Sequence, residues 1–348
     1  MRPLLSIICV LAVLASACGD DADPEPAVAD PPDSTTTQPP TSTTPATTST
    51  ARSTPPTTDP PATDEPTLVG AEAGDANLEE MQRVLEAAGS ADDGPFYMVN
   101  LIRHRDTAVY ADGRETELTG EEADAIYGEF MRDTKLPEIG AEIVYVADVE
   151  RDLIGGTSFD RVAVVHYPSR AAFALMAQDP EFQEMSVHKQ AGVADTVVMA
   201  TNLIELPPFP PVVDPPYPGT DDDPAFAFVH VLDYRDTAVY ALGDADADDT
   251  RPGREAVDRY STNAGQVAAP LGIRPVAWFD VEATIIGPAD RWEEVRINGF
   301  PSHATFAALT SDPVWESGSH HRTAGLESTY ALQTLPVINE LGADGATG

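Results

Sequence analysis

The clearest pattern in the chain begins at Phe96. Residues 96–103 form a near-continuous apolar run broken by Asn100, as expected of a strand buried on both faces. A short amphipathic stretch, 76–88, precedes it and predicts a leading helix. Beyond the strand, Thr119 and Glu122 have the spacing of a capping box. Ala123, Ile126, Tyr127 and Phe130 then recur at helical intervals until Pro137 and Gly140 close the segment. Residues 143–149 and 162–167 read as two strands. A second helical stretch opens at Ser169, breaks at Asp179-Pro180 and restarts with proline in its first turn. Residues 196–206 supply a last strand. The order is β-α-β-β-α-β.

The same order then recurs. Residues 98–111 read MVNLIRHRDTAVYA and residues 228–241 read FVHVLDYRDTAVYA, with Arg105–Ala111 and Arg235–Ala241 identical. The register continues through Asp148-Val149-Glu150 with Asp280-Val281-Glu282, Asp179-Pro180 with Asp312-Pro313, and His188 with His321. Across these pairs the offset drifts only from 130 to 133 residues. A register held this far reads as tandem duplication. Helices are expected at 253–271 and 302–325 in the second copy. The predicted fold class is α+β, with two ferredoxin-like β-α-β-β-α-β repeats packed sheet to sheet as an intrachain dimeric α+β barrel. Each apolar sheet face would then be buried against the other.

The segments MVNLIR, YPSRAAFALM and DPEFQ resemble the family called domain of unknown function number 1330, a member of the dimeric α+β-barrel superfamily. The resemblance covers roughly residues 96–205. It is weaker in the second copy, where His230 replaces Asn100, Asp233 replaces Arg103 and His303 replaces Arg170. It implies pairing through the sheets, here within one chain, and a monomer carrying an internal pseudo-dimer. It implies no particular reaction.

The N-terminus changes the setting. Arg2, an apolar run from Leu4 to Ala15, then Ser16, Ala17 and Cys18 follow the order of a secretory signal. LASAC resembles a bacterial lipobox, which implies cleavage after residue 17 and lipidation of Cys18. The expected location is therefore exported, held to the cell membrane by lipid, with the domain facing the outside or the periplasm. Residues 31–66 hold 13 Thr, 10 Pro and 4 Ser, too little apolar surface to offset chain entropy. A disordered stalk is expected over 18–66. The folded copies are expected over 67–206 and 225–340, with a Pro-rich hinge at 207–224 and a free tail from 341.

Charge and cysteine usage narrow the function. A net charge of −38, with Lys135 and Lys189 the only lysines, excludes a nucleic-acid partner that must be met with basic side chains. The only two cysteines, Cys9 and Cys18, lie in the export region. The folded part therefore has no disulfide framework, thiol nucleophile or thiolate metal site. No GxSxG, HExxH or phosphate-loop pattern occurs, and no cofactor is expected.

Asn100 and His230 occupy one repeat position in the middle of a buried strand, where a polar group needs partners. They are expected to face a small apolar or aromatic ligand held between the two sheets. Arg105 and Arg235 could clamp a carboxylate, and Tyr110 and Tyr240 offer hydroxyls. His166, His188 and His321 complete the candidate set. His320 adjoins His321, so the two are expected to diverge from their helix, and no histidine metal site is expected. Asp244, Asp246, Asp248 and Glu255 have the spacing of a weak calcium loop without its turn glycine. The leading reading is a ligand-binding module. A cofactor-independent oxygenase, isomerase or decarboxylase, or a purely structural or interaction domain, are the alternatives.

Overall fold

The computed structural model describes residues 76–207, 214–244, 246–288 and 292–341. The expected signal segment, Cys18, the expected stalk, the middle of the expected hinge and residues 342–348 lie outside them. Eight strands form one closed barrel: β1 (Phe96–His104), β2 (Glu142–Ile154), β3 (Arg161–Tyr167), β4 (Val193–Leu203), β5 (Phe226–Tyr234), β6 (Arg274–Ile286), β7 (Glu294–Phe300) and β8 (Leu326–Asn339). Their order around the barrel is β1-β3-β2-β8-β5-β7-β6-β4. Two ferredoxin-like sheets packed against each other as an intrachain barrel were expected; the structure is a mixed α/β fold whose strands make one continuous closed barrel. β2 pairs with β8 and β4 with β6, so edges that would have stayed open are joined, and closure removes unpaired backbone groups.

Alternation along the strands sorts side chains to the two barrel faces. Leu101, Val164, Met199, Val231, Phe279 and Leu332 point inward, and each is 0% exposed. They belong to one cluster drawn from both halves of the chain. Tyr145 is also fully buried there, and its hydroxyl lies 3.2 Å from Thr334 Oγ1. The barrel interior is therefore packed with side chains.

Helices cover the outer face. α1 (Leu78–Glu86) lies against β6, with Met81, Val84 and Leu85 buried. α2 (Gly120–Phe130) starts at Thr119, where the expected capping box forms: Thr119 accepts from Glu122 N at 3.1 Å, and Glu122 accepts from Thr119 N at 2.8 Å. It continues through a π-helical turn, Met131–Lys135, and a short turn, Leu136–Glu138. α3 (Arg170–Ala177) and α4 (Pro180–Gly192) break at Asp179, as predicted. In the second half α5 (Gly253–Ala268), α6 (His303–Thr310) and α7 (Pro313–Gly325) occupy the same places. Leu341, expected to begin the free tail, is instead packed in the barrel cluster.

The repeated RDTAVYA segment ties helix ends to strand ends. Arg105 N donates to Gly192 O at 2.8 Å and Val109 N to Ala191 O at 2.9 Å. Arg235 N donates to Gly325 O and Val239 N to Ala324 O, both at 2.9 Å. A Cβ on Gly120 would sit 2.3 Å from Arg105 O and 2.4 Å from Gly192 O, and one on Gly253 would sit 2.4 Å from Arg235 O and Gly325 O. Only glycine permits this backbone approach.

Candidate functional site

The expected ligand space between the sheets is filled, but Asn100 does face a cavity. It lies on the opposite side of the strand, between the outer sheet surface of the first half and helices α1, α2 and α4, and its volume is about 420 Å³. Sites for small molecules commonly enclose about 300–1,000 Å³. Met98, Asn100 and Ile102 of β1 floor it, with Ala163 and Val165 of β3 and Val198 of β4 beside them. Met81, Met131 and Met176, with Tyr127, Phe173 and Phe182, form much of the remaining wall. Unbranched thioethers adapt to irregular ligands, and aromatic walls add area with little entropy cost.

The polar groups on this lining include Asn100, Asp124, Glu129, Asp148, Arg161 and Lys189, and several are engaged with neighbours. Asn100 is 8% exposed, and its amide nitrogen donates to Met98 O at 3.2 Å and Ala163 O at 3.5 Å. The atom this leaves for a ligand is Oδ1, an acceptor. Asp124 lies 3.2 Å from His104 Nε2. Arg161 is held by Asp148 at 2.9 Å and Glu121 at 2.8 Å. Burial pushes the Tyr127 and Tyr167 hydroxyls well above the usual phenol range, so both stay protonated.

His230 occupies the position of Asn100 in the other half, but its surroundings differ. Asn100 pairs across the ladder with Ala163, whereas His230 pairs with Arg296. The Arg296 guanidinium stacks 4.1 Å over the Trp278 ring and donates to Ser261 at 2.7 Å, to Tyr234 at 3.2 Å and to Glu294. Glu294 also receives Arg254 at 2.7 Å and the Tyr234 hydroxyl at 2.8 Å. Phe228 stands at the level of Met98 and packs on Phe300 and Phe306. Space that is open in the first half is thus occupied in the second by a buried ion cluster and aromatic rings. Burial, then the charges of Arg322 and Arg296, lower the His230 pKa to about 3. Its ring is neutral at ordinary pH.

The other sequence candidates lie away from the cavity. Tyr110 and His188 meet at 2.7 Å and Tyr240 and His321 at 2.9 Å, each through the hydroxyl and Nδ1. These matched pairs sit under the RDTAVYA segments. Arg235 pairs with Glu327 on the surface, and Arg105 acts through its backbone at the helix crossing. His166 lies 3.6 Å from Glu142 and stacks near Tyr97 at 5.0 Å. The calcium spacing does not converge: Asp244 accepts from Ala241 N, Asp246 turns to His320, and Asp248 and Glu255 are exposed. Sequence reasoning missed the four methionines and Ala163. One signal was available, the Ala163-to-Arg296 exchange between aligned strands.

No family model matches the chain, and no curated protein matches it. Among solved structures, a mutant of chlorite dismutase from Candidatus Nitrospira defluvii is 11% identical, with a TM-score of 0.38 over 71% of this chain and 93% of that one. Two structures of RPA0582, a protein of unknown function from Rhodopseudomonas palustris, are 40% and 36% identical, each with a TM-score of 0.30. They align with 34% of this chain and with 87% and 88% of theirs. The similarity to RPA0582, at 40% identity, thus spans most of that chain and about a third of this one.

Proposed function

We propose that the protein is a binding module for a small apolar molecule bearing one hydrogen-bond donor, held in the helix-covered cavity of the first half. The observation that carries this reading is the cavity itself, walled by methionines and aromatic rings and floored by Asn100, whose amide nitrogen is already engaged. The ion pairs that hold Asp124, Asp148 and Arg161 on its lining favour binding over catalysis. The setting we propose is an exported chain lipidated at Cys18 and raised on its Thr/Pro-rich stalk. Its two halves would be tandem ferredoxin-like copies of the domain 1330 type, forming an intrachain dimeric α+β barrel. The recurring strand order in each half supports that origin.

The test is Nile red binding to the purified chain, followed by fluorescence, with mass spectrometry of a solvent extract for co-purified ligand. One saturable apolar site is expected. Ala163→Phe and Met98→Phe should each weaken it by at least about tenfold, because each fills the floor with a ring. If either variant keeps its thermal melt and still binds dye as the parent does, the dye lies elsewhere and the reading fails.

A further inference from the structure

A second cluster, in the other half and independent of the cavity, carries ligand chemistry. His320 and His321 leave α7 side by side, with ring centroids 4.1 Å apart. The expected divergence does not occur. Both rings turn to the loop after β5, where Asp246 Oδ2 lies 3.1 Å from His320 Nε2 and 3.9 Å from His321 Nε2. The three ligand atoms lie within 4.8 Å of one another. Around a tetrahedral zinc ion, with bonds of about 2.0–2.1 Å, neighbouring ligand atoms stand about 3.3–3.5 Å apart. The observed separations bracket that spacing.

We propose that Asp246, His320 and His321 form a binding site for a divalent transition-metal ion of the zinc class, with a fourth position left to water. Two imidazoles and one carboxylate select zinc, nickel or copper over calcium, which prefers an all-oxygen shell. The supporting groups match. Tyr240 Oη contacts His321 Nδ1 at 2.9 Å, which fixes the ring and leaves Nε2 toward the ion. Arg259 holds the other carboxylate oxygen, Oδ1, at 3.2 Å and leaves Oδ2 in place. Asp246 and His320 are only partly exposed, at 26% and 28% of their side chains, so the site is reachable without being freely solvated.

The first half provides the internal control. Tyr110 and His188 repeat the tyrosine–histidine pair, but Val187 stands in place of His320. Arg114 stacks over the Tyr110 ring at 3.7 Å, which puts a cation on that side. That half should bind no metal.

The test is titration of the purified full chain with zinc by calorimetry and with cobalt by visible absorption. One equivalent is expected, with the strong d–d bands of tetrahedral cobalt. His320→Ala and Asp246→Asn should each weaken zinc by at least about tenfold, and Tyr240→Phe by less, while His188→Ala changes nothing. Thermal melts without metal establish that the variants fold, and His320→Gln replaces any that does not. Absence of zinc binding by the parent chain overturns the assignment. So does undiminished binding by folded His320 and Asp246 variants, or loss of binding in His188→Ala.

Discussion

The two helix-covered faces of the barrel share their strand order, their glycine crossings and their tyrosine–histidine pairs, yet one is hollow and the other solid. In the first, small and flexible side chains (Ala163, Met98, Met131 and Met176) leave a cavity of about 420 Å³. In the second, Arg296 and Phe228 stand at the levels of Ala163 and Met98, and Glu294 at that of Arg161. The backbone does not decide whether the face can hold a ligand. A handful of outward strand positions does.

The largest expected effect comes from breaking the solid face. Glu294 and Arg296 have side chains only 3% and 8% exposed, so Arg296→Ala leaves the buried carboxylate with only the half-exposed Arg254 and the Tyr234 hydroxyl. A loss of about 3–5 kcal/mol is expected in urea denaturation, since a buried ion pair is broken and the stack on Trp278 goes with it. The equivalent-level change in the hollow face, Ala163→Gly, should cost far less. Comparable losses would mean that the ion cluster does not hold the second face together.

A smaller effect should fall equally on both halves. Gly120→Ala and Gly253→Ala each force a methyl group against two backbone carbonyls. Each should cost about 1–3 kcal/mol, as overpacking generally does. A large difference between the two would show that the crossings are not equivalent.

Per pH unit, the smallest effect is the pH dependence that His230 introduces. Its folded pKa, lowered to about 3, lies below the ordinary value of 6.5. The unfolded chain therefore binds the extra proton between about pH 6.5 and 3, and stability is lost as pH falls through that window. The loss approaches about 1.4 kcal/mol per pH unit. His230→Asn, which installs the first half's residue, should flatten this acid limb in denaturation curves from pH 7 to 4. An unchanged limb would assign it to the carboxylates, or to His188 and His321, whose pKa values burial also lowers.

Much of this molecule was legible before any coordinates. The capping box at Thr119, the break at Asp179-Pro180 and the strand at Phe96 followed from local chemistry, and each forms as read. Asn100 was recognisable because a polar residue within a buried strand needs a reason. Its direction was not. A strand buried on both faces is apolar on both, so periodicity cannot say which side meets the barrel interior and which meets the helices. The pairing of His320 with His321 was misjudged for a related reason. Helix spacing fixes where Cβ atoms point, while the side-chain torsions and a distant loop brought both rings to Asp246.

The sequence by itself determined the elements, their recurrence and the glycines that let helices touch strand ends, because these depend on neighbouring residues and backbone sterics. Only the tertiary structure decided that the edges close into one barrel, that its interior is full, and that the open space lies under the first half's helices. Those outcomes depend on which side chains from distant segments meet, and on how much volume they leave.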